Sequence, residues 1–270
     1  MITQTAAEPA LSTSDWPRKF DVLGIQVSGT TYNEALDAIV RAARRQEPAI
    51  VSLTAVHAVV TAAGDPGLKE KMNRFAIVAP DGQPVRWALN RLYGLGLTDR
   101  VYGPEMTLRI CQRAAAEGLS IYLYGGTPDV LKSLSDNLLR MFPGLVIAGQ
   151  EAPPFRPLTP EEDQAVIDRV NDSGAAILFI GLGCPKQDHF AADHSQSIRA
   201  IQVCVGAAFD FHAGVKKMAP AWMQKRGLEW LYRLCQEPKR LWRRYLETNS
   251  VFVAKFTRQW LGSMFSRNQS

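Results

Sequence analysis

Short apolar runs rich in β-branched residues alternate along most of the chain with segments that have the spacing of amphipathic helices. The runs cover residues 22–27, 50–53, 75–79, 119–124, 145–148, 176–180 and 201–205. Strands that alternate with helices pair in parallel, because each helix carries the chain back to the edge where the preceding strand began. The sequence therefore predicts an α/β fold, with a mainly parallel sheet covered by helices on both faces.

Side chains that cap backbone N–H groups mark the starts of predicted helices. Thr31 with Glu34, and Thr159 with Glu162, have the spacing of a capping box. Thr127 precedes a proline, which suits the first position of a helix. These signals predict helices that begin just after each threonine.

The composition fits a chain that folds in the cytoplasm. Its 270 residues, 46% of them hydrophobic, suffice for one large α/β domain with an appendage. No apolar run reaches the roughly 18 residues of a membrane-spanning helix, and residues 1–16 show no signal-peptide pattern. The cysteines lie far apart, which favours reduced thiols over a zinc site or a disulfide framework.

The net charge of +5 conceals two regions of opposite charge. Residues 216–270 hold 12 Lys and Arg against three Glu, whereas residues 1–215 have a net charge of −4. We therefore predict a flexible N-terminus (1–20), an α/β domain (21–214) and a helical C-terminal appendage (215–270). Pro238 is expected to divide the appendage into helices over 222–236 and 238–262.

Four of the six tryptophans also lie in the basic appendage. Basic residues interleaved with aromatic rings are typical of helices that lie on an anionic membrane surface. Nucleic acid is a second partner for such a region. A helix packed on the body with its charges in water is a third interpretation, and the composition alone leaves all three open.

Residues 178–190 form the most informative single segment, because an apolar strand runs into glycines and then into the start of a helix. Free backbone N–H groups and the positive end of a helix dipole suit an anion at such a junction. The dinucleotide-binding pattern is incomplete, since Lys186 stands where a third glycine is expected after Gly181 and Gly183. The segment predicts a phosphate-bearing ligand, with an ordinary strand-to-helix turn as the alternative.

Ligands of open parallel sheets bind at the carboxyl ends of the strands, so the residues that follow the strands are candidates for a site. These segments are 52–54, 80–82, 125–127, 181–187 and 206–210. Asp81 follows one strand and could accept a proton from a substrate hydroxyl, although Pro-Asp-Gly is also an ordinary turn. His57 and His212 lie near the same edge, where a lone histidine is more often a polar contact than a base.

No pattern in the chain has the spacing of a metal site. The sequence has no Asp-x-Asp motif, and its acidic cluster at 161–163 is explained as the first turn of a helix. His189 and His194 are five residues apart and would point to different faces of a helix. We therefore expect chemistry without a metal or another cofactor.

Several short segments occur in an order that is specific in combination. They are 80–82 (PDG), 100–103 (RVYG), 124–126 (YGG), 183–187 (GCPKQ), 205–210 (VGAAFD), 213–214 (AG), 219–222 (APAW), 228–234 (LEWLYRL) and 237–240 (EPKR). Over about residues 20–245 the chain resembles the WecG/TagA/CpsF family of bacterial glycosyltransferases, or glycosyltransferase family 26, which is N-acetylmannosaminyltransferase-like.

The resemblance implies a Rossmann-like fold and an inverting transfer, without a metal, from a UDP-sugar to an undecaprenyl-diphosphate-linked saccharide. It implies an enzyme that meets the inner face of the cell membrane through its appendage, with no role for nucleic acid, in the synthesis of exopolysaccharide or another surface glycan. Asp81 would be the base. Arginines matching Arg233 and Arg240, with Arg243 or Arg244 nearby, would complete the site over the diphosphate.

The candidate residues therefore fall into two groups. The expected catalytic residues are Asp81, Arg233, Arg240 and Arg243. The expected substrate-binding residues are Ser52, Thr54, His57, Gly82, Gln83, Gly125, Gly126, Gly181, Gly183, Pro185, Lys186, Gln187, Gly206 and Asp210.

Departures from the family pattern leave the donor sugar open. The family often has T-x-N where this chain has Ser52-Leu53-Thr54, Glu and Trp in place of Asp188 and Phe190, and arginine in place of Met218. N-acetylmannosamine or another N-acetylhexosamine, the uronic acid of N-acetylmannosamine, glucose and other hexoses are all candidates, and a homo-oligomer is compatible with the chain. The alternative from another class is a non-catalytic nucleotide-binding protein that docks on a membrane or nucleic acid through its basic tail.

Overall fold

The computed structural model describes residues 16–267, which form an α/β fold around a six-stranded parallel sheet. The strands are β1 (Lys19–Val22), β2 (Ile25–Ser28), β3 (Ile50–Thr54), β4 (Ile77–Pro80), β5 (Ser120–Gly125), β6 (Val146–Glu151), β7 (Ile177–Gly181) and β8 (Ile201–Cys204). β1 and β2 form an antiparallel hairpin, and the sheet has the order β4-β3-β8-β7-β5-β6. The predicted Rossmann-like fold class is confirmed.

Helices cover the sheet and form the C-terminal part of the described chain. They are α1 (Tyr32–Arg44), α2 (Val56–Gly64), α3 (Pro66–Asn73), α4 (Gln83–Tyr93), α5 (Gly103–Glu117), α6 (Pro128–Met141), α7 (Pro160–Asp172), α8 (Lys186–Asp193), α9 (Ala208–His212), α10 (Ala221–Lys225), α11 (Glu229–Gln236) and α12 (Pro238–Arg267). The capping boxes predicted at Thr31 and Thr159 are present, and Thr127 Oγ1 accepts the Val130 N–H at 3.2 Å.

The prediction of one strand over residues 22–27 is wrong, because this run forms the middle of the β1–β2 hairpin. Leu23 and Gly24 make the turn, with φ angles of 59° and 87°. Two successive left-handed residues suit the right-handed twist of a two-residue hairpin. Apolar residues flank this turn on both sides, so the run looks continuous in the sequence. The other predicted strands are confirmed.

Most of the segment predicted to be flexible, 1–20, lies outside the described residues. Within its last part, 16–20, strand β1 begins at Lys19.

Apolar clusters cover both faces of the sheet, because successive side chains of a strand point to opposite faces. Val51 and Ile77 face α1, α5 and α6, whereas Ile50 and Val78 face α2, α3 and α4. Full burial of one such side chain contributes about 1.5–3 kcal/mol to stability. The two layers therefore hold the carboxyl ends of the strands in fixed positions.

The appendage packs against the body along much of its length. Leu241 and Phe252 of α12 are buried, and α12 contacts α2 and α4. Farther along α12, Gln259 donates to the Asp21 carbonyl at 3.0 Å and accepts the Leu23 N–H at 3.0 Å. The long helix is thus attached to the hairpin as well as to the helical layer.

The start of α12 at Pro238 is confirmed, but the helix predicted over 222–236 is divided in two. Gly227, with φ of 72°, separates α10 from α11. This left-handed position favours glycine and interrupts the helix. Of the helices in the range 16–267, α12 included, none combines the length and the apolar content needed to cross a membrane.

Candidate active site

A cavity of about 500 Å³ lies between the carboxyl ends of β3, β4, β7 and β8 and the helices α11 and α12. Its body wall consists of the segments that follow these strands, as expected for a parallel sheet. The predicted residues that line it are His57, Asp81, Gly82, Gln83, Gly181, Gly183, Pro185, Lys186, Gln187, Gly206, Asp210, Arg233 and Arg240.

Ser52 and Thr54 lie beneath the cavity rather than on its wall. Ser52 Oγ donates to Asp188 Oδ1 at 2.7 Å, and Thr54 Oγ1 donates to Ser52 Oγ at 3.1 Å. All three side chains are buried, and they join β3 to α8. Instead of the expected substrate contacts, Ser52 and Thr54 therefore make hydrogen bonds inside the protein that support α8.

Gly125 and Gly126 lie behind the cavity and do not line it. A Cβ at Gly125 would lie 2.6 Å from the carbonyl carbon of Gly181, and one at Gly126 would lie 3.1 Å from Val130 Cγ1. Both glycines have positive φ, 132° and 70°. Gly125 allows β5 to approach the end of β7 closely, and Gly126 allows the turn after β5 to approach α6. These are packing roles rather than the expected substrate contacts.

Arg243 is exposed outside the cavity, and its guanidinium carbon lies 5.5 Å from the ring centre of Trp242. Arg244, the next residue, is half-buried and lines the cavity. Arg240 and Arg244 share a face of α12 because residues four apart are neighbours on a helix. The cations that α12 presents to the cavity are therefore Arg240 and Arg244, which corrects the expectation for Arg243.

Asp81 lies on the floor of the cavity, directly after β4. Its Oδ1 accepts the Gly103 N–H at 3.1 Å, at the start of α5. Burial raises the pKa of Asp81 from 3.8 to about 6; Arg100 opposes the rise and Glu229 adds to it. The carboxylate is therefore ionised at neutral pH but binds a proton more readily than an exposed aspartate, as a general base requires.

Arg100, Tyr102 and Glu229 complete the floor, although sequence reasoning assigned them no role. Arg100 Nη2 donates to Glu229 Oε2 at 2.6 Å, and Tyr102 Oη donates to Glu229 Oε1 at 3.2 Å. The Arg100 guanidinium carbon lies 4.0 Å from the ring centre of Tyr102. Their only signal in the sequence is membership of two segments that carry the family resemblance, 100–103 and 228–234.

Gln187 joins two loops of the body wall. Its Oε1 accepts the Gly183 N–H at 3.2 Å and the Gly206 N–H at 3.0 Å. The Gly183 N–H, which was expected to face an anion, is therefore occupied within the protein. Lys186, the exposed first residue of α8, remains the cation of this junction on the cavity wall.

The appendage wall of the cavity is cationic. Arg233 of α11 lines it together with Arg240 and Arg244 of α12. Burial lowers the pKa of Arg244, and the nearby charge of Arg240 lowers it further. Arg240 pairs with Glu237, whereas Arg233 and Arg244 form no ion pair with another described residue. Such a wall favours an anion with several charges, such as a diphosphate.

Lys216 links the body wall to the appendage wall. Its Nζ lies 2.8 Å from Asp210 Oδ2 and 3.4 Å from Glu237 Oε1. Asp210 belongs to α9 of the body and Glu237 precedes α12, so one ammonium group bridges both sides. The interaction holds the start of α12 over the cavity.

His57 is neutral at neutral pH, because burial, with a smaller effect of Arg244, lowers its pKa to about 4. It therefore lines the cavity without adding to the positive charge. His212 is buried, and its Nε2 lies 2.8 Å from the Pro104 carbonyl oxygen. His212 supports the start of α5 and does not line the cavity.

A second groove, of about 620 Å³, lies between α4 and α12. Its lining is mostly apolar and consists of Pro84, Trp87, Ala88, Asn90, Arg91, Phe252, Val253 and Phe256. Trp87 and Val253 are exposed there, at 44% and 61%. Pro84 lines both spaces, so the groove adjoins the cavity.

Comparison with known protein families matches residues 20–265 to the glycosyl transferase WecG/TagA/CpsF family. The chain belongs to this family. The match extends beyond the segments that first suggested it and includes nearly all of α12, so both walls of the cavity lie within the family's sequence pattern. Membership makes the protein a glycosyltransferase of cell-surface glycan synthesis.

The cavity of this WecG/TagA/CpsF family member combines two kinds of group that glycosyl transfer uses. Asp81 can accept a proton from a hydroxyl, and the arginines opposite can stabilise a phosphate that leaves with negative charge. Among residues 16–267, no three His, Cys, Asp or Glu side chains come together as a group that could hold a metal ion.

Proposed function

We propose that this glycosyltransferase moves a hexose or an N-acetylhexosamine, such as N-acetylmannosamine, from a UDP-sugar to an undecaprenyl-diphosphate-linked acceptor. The transfer inverts the anomeric configuration and contributes to an exopolysaccharide or a related surface glycan. One observation carries the proposal: a carboxylate with a raised pKa lies on the floor of a cavity whose opposite wall presents Arg233, Arg240 and Arg244.

The reaction is a single displacement at the anomeric carbon of the donor. Asp81 takes the proton of the acceptor hydroxyl, and the hydroxyl oxygen forms a bond to the anomeric carbon. The bond from that carbon to the phosphate oxygen breaks on the opposite face, and UDP leaves with the electron pair. One displacement inverts the configuration, whereas retention would require a second nucleophilic step.

The arginine wall supports the proposal that side-chain cations stabilise the departing UDP without a metal ion. Guanidinium groups donate several hydrogen bonds in a planar fork, which matches the oxygens of a diphosphate. Lys186 and the segment Gly181–Gln187 hold the nucleotide from the body side, next to Asp210. Activity should therefore be unchanged by EDTA, and loss of activity with recovery on added Mg²⁺ or Mn²⁺ would contradict this mechanism.

The apolar groove supports a lipid-linked acceptor. A polyprenyl diphosphate needs a cationic site for its phosphates and apolar surface for its chain, and the groove adjoins the cavity at Pro84. Trp87 and Val253 offer the exposed apolar surface. We infer that the first isoprene units lie in this groove while the saccharide enters the cavity.

The far end of α12 supports peripheral contact with the inner face of the cell membrane. Leu261, Met264 and Phe265 are exposed apolar residues there, and Phe265 is 70% exposed. Lys255 and Arg258 lie on the same helix and suit anionic headgroups. Contact of α12 with the bilayer would bring the groove to the surface from which the acceptor chain emerges.

The alternative, a nucleotide-binding protein without activity, is disfavoured because the family to which the chain belongs is one of glycosyltransferases.

A donor screen tests the proposal. UDP and a panel of UDP-hexoses and UDP-N-acetylhexosamines are compared in thermal unfolding, because a ligand at about 100 times its Kd stabilises the fold by about 2.7 kcal/mol. Stabilising donors are then incubated with polyprenyl-diphosphate saccharides, and released UDP is measured. Release that needs both substrates supports the proposal. Stabilisation by UDP without release from any donor and acceptor pair supports the non-catalytic alternative.

A further inference from the structure

Glu229 brings a negative charge from the appendage to the cavity floor, where both of its carboxylate oxygens are occupied. Arg100 donates to Oε2 and the Tyr102 hydroxyl donates to Oε1. The side chains of Arg100 and Glu229 are only 8% and 13% exposed, so water screens their interaction weakly. Glu229 is therefore held in place and acts on its neighbours rather than on a substrate.

Arg100 transmits this effect because its charge acts on two carboxylates. Its ion pair is with Glu229, yet it also opposes the rise in the pKa of Asp81, and Asp81 in turn raises the pKa of Arg100. Glu229 holds the guanidinium and adds a negative charge of its own. Both effects favour proton binding by Asp81. If Glu229 lost its charge, Arg100 would interact with only one carboxylate, that of Asp81. It would then lower the pKa of Asp81 and make it a weaker base.

Groups from three elements interact electrostatically with Asp81. They are Arg100 and Tyr102 before α5, Tyr32 of α1, and Glu229 and Arg233 of α11. Burial raises the pKa of both tyrosines, that of Tyr32 to about 12, so both are neutral at neutral pH. In this part of the described structure, the balance of charge at Asp81 is therefore set by two arginines and one carboxylate.

We propose that Glu229 is a positioning residue that makes Asp81 a competent base only where α11 is docked on the body. This inference rests on the function proposed above. Arg233 lies one helical turn after Glu229 on the same helix face. Docking of α11 thus brings two groups to the cavity: Glu229, which strengthens the base, and Arg233, a cation for the leaving phosphate. Glycosyl transfer should therefore occur only while the appendage is docked on the body.

The direct test is a titration of Asp81 in the full-length protein without ligand. Aspartate carboxyl carbons are labelled with ¹³C, and Asp81→Asn assigns the Asp81 signal. Glu229→Gln keeps the size of the side chain and removes its charge. We expect the midpoint to fall from about pH 6 in the wild type to about pH 5 or lower in the variant.

Two further variants separate charge from packing. In the Arg100→Gln and Glu229→Gln double variant both opposing charges are absent, so the midpoint returns to about pH 6 or above. Glu247→Gln makes the same charge change at an exposed position of α12 outside the cavity, and it should leave the titration unchanged. Thermal unfolding establishes that each variant is folded.

Kinetics give the second readout. In Glu229→Gln we expect the acid limb of the kcat/KM profile to move to lower pH, because the pKa of Asp81 falls. Above pH 7, kcat should fall about tenfold, whereas KM should change less than about twofold. An Asp81 titration that is the same in Glu229→Gln and the wild type overturns the proposal, as does a double variant that titrates like the single one. The titration needs no turnover. A wild type that releases no UDP while the titrations behave as expected therefore supports the electrostatic link and contradicts the proposed function.

Discussion

The two walls of the cavity obtain their chemistry in different ways. The body wall consists of strand ends held by a sheet that is buried on both faces, and it supplies Asp81 at a fixed position. The appendage wall consists of arginines on α11 and α12, and none of the residues of α10 or α11 is buried. In the proposed mechanism the body therefore provides the base and the appendage provides three arginines, so transfer would need both walls.

Replacing the base should give the largest effect. Asp81→Asn removes the proton acceptor and keeps the shape of the side chain, so kcat should fall about 10²–10⁴-fold with nearly unchanged UDP affinity. UDP release under substrate saturation measures the first quantity, and titration calorimetry with UDP measures the second. Near-normal turnover would remove Asp81 from the mechanism and direct attention to His57.

Neighbouring arginines of α12 offer a matched pair for the appendage wall. Arg244→Ala removes a half-buried cation from the cavity and should lower kcat about 100-fold, as loss of one donor to a developing oxyanion does. Arg243→Ala removes the same charge from an exposed position outside the cavity and should change kcat less than about twofold. Equal losses in the two variants would mean that α12 acts through its net charge, not through a placed guanidinium.

The groove between the two regions can be tested with acceptors of different chain length. Val253→Glu places a carboxylate in the apolar groove and should raise KM for a long-chain polyprenyl acceptor about tenfold, which is about 1.4 kcal/mol. It should leave a short-chain, water-soluble analogue unaffected. Val251→Glu, on the same helix outside the groove, is the control. If Val253→Glu raises KM equally for both acceptors, the polyprenyl chain of the acceptor does not bind in the groove.

The smallest expected effect concerns stability. Folded Asp81 has a pKa of about 6 against 3.8 for an ordinary aspartate, so its ionisation destabilises the fold as pH rises through this window. Asp81→Asn avoids this cost and should raise Tm at pH 7 by about 2–4 °C, or about 1 kcal/mol. The difference should vanish at about pH 4, where the native aspartate is protonated. A difference of equal size at both pH values would show that the gain comes from the packing of the amide and not from removal of the Asp81 charge.

Much of the fold could be predicted because its signals are local. Apolar runs indicated the strands of the sheet, and capping threonines indicated the helix starts. The β1–β2 hairpin was missed because its turn, Leu23-Gly24, stands within an apolar run. Gly227 was missed as a helix break because one glycine costs a helix only about 1 kcal/mol, which surrounding residues can offset.

The site was predictable only in outline. The strand-end rule led to the edge of the sheet at which the cavity lies, but it could not tell that Ser52 and Thr54 face Asp188 inside the protein. The Arg100–Glu229 pair joins residues 129 positions apart, so no local spacing indicates it. Such pairs depend on how the appendage docks, and a sequence pattern does not contain that information.

The pH dependence of kcat/KM in the wild type and Asp81→Asn tests the central claim most directly. If a body carboxylate is the base, the wild-type rate rises tenfold per pH unit below about pH 6 and levels off above it, following the pKa of Asp81. The kcat/KM of Asp81→Asn should lie far below that of the wild type and show no rise with pH in this range. A variant that retains the wild-type rise would place the base elsewhere and contradict the account.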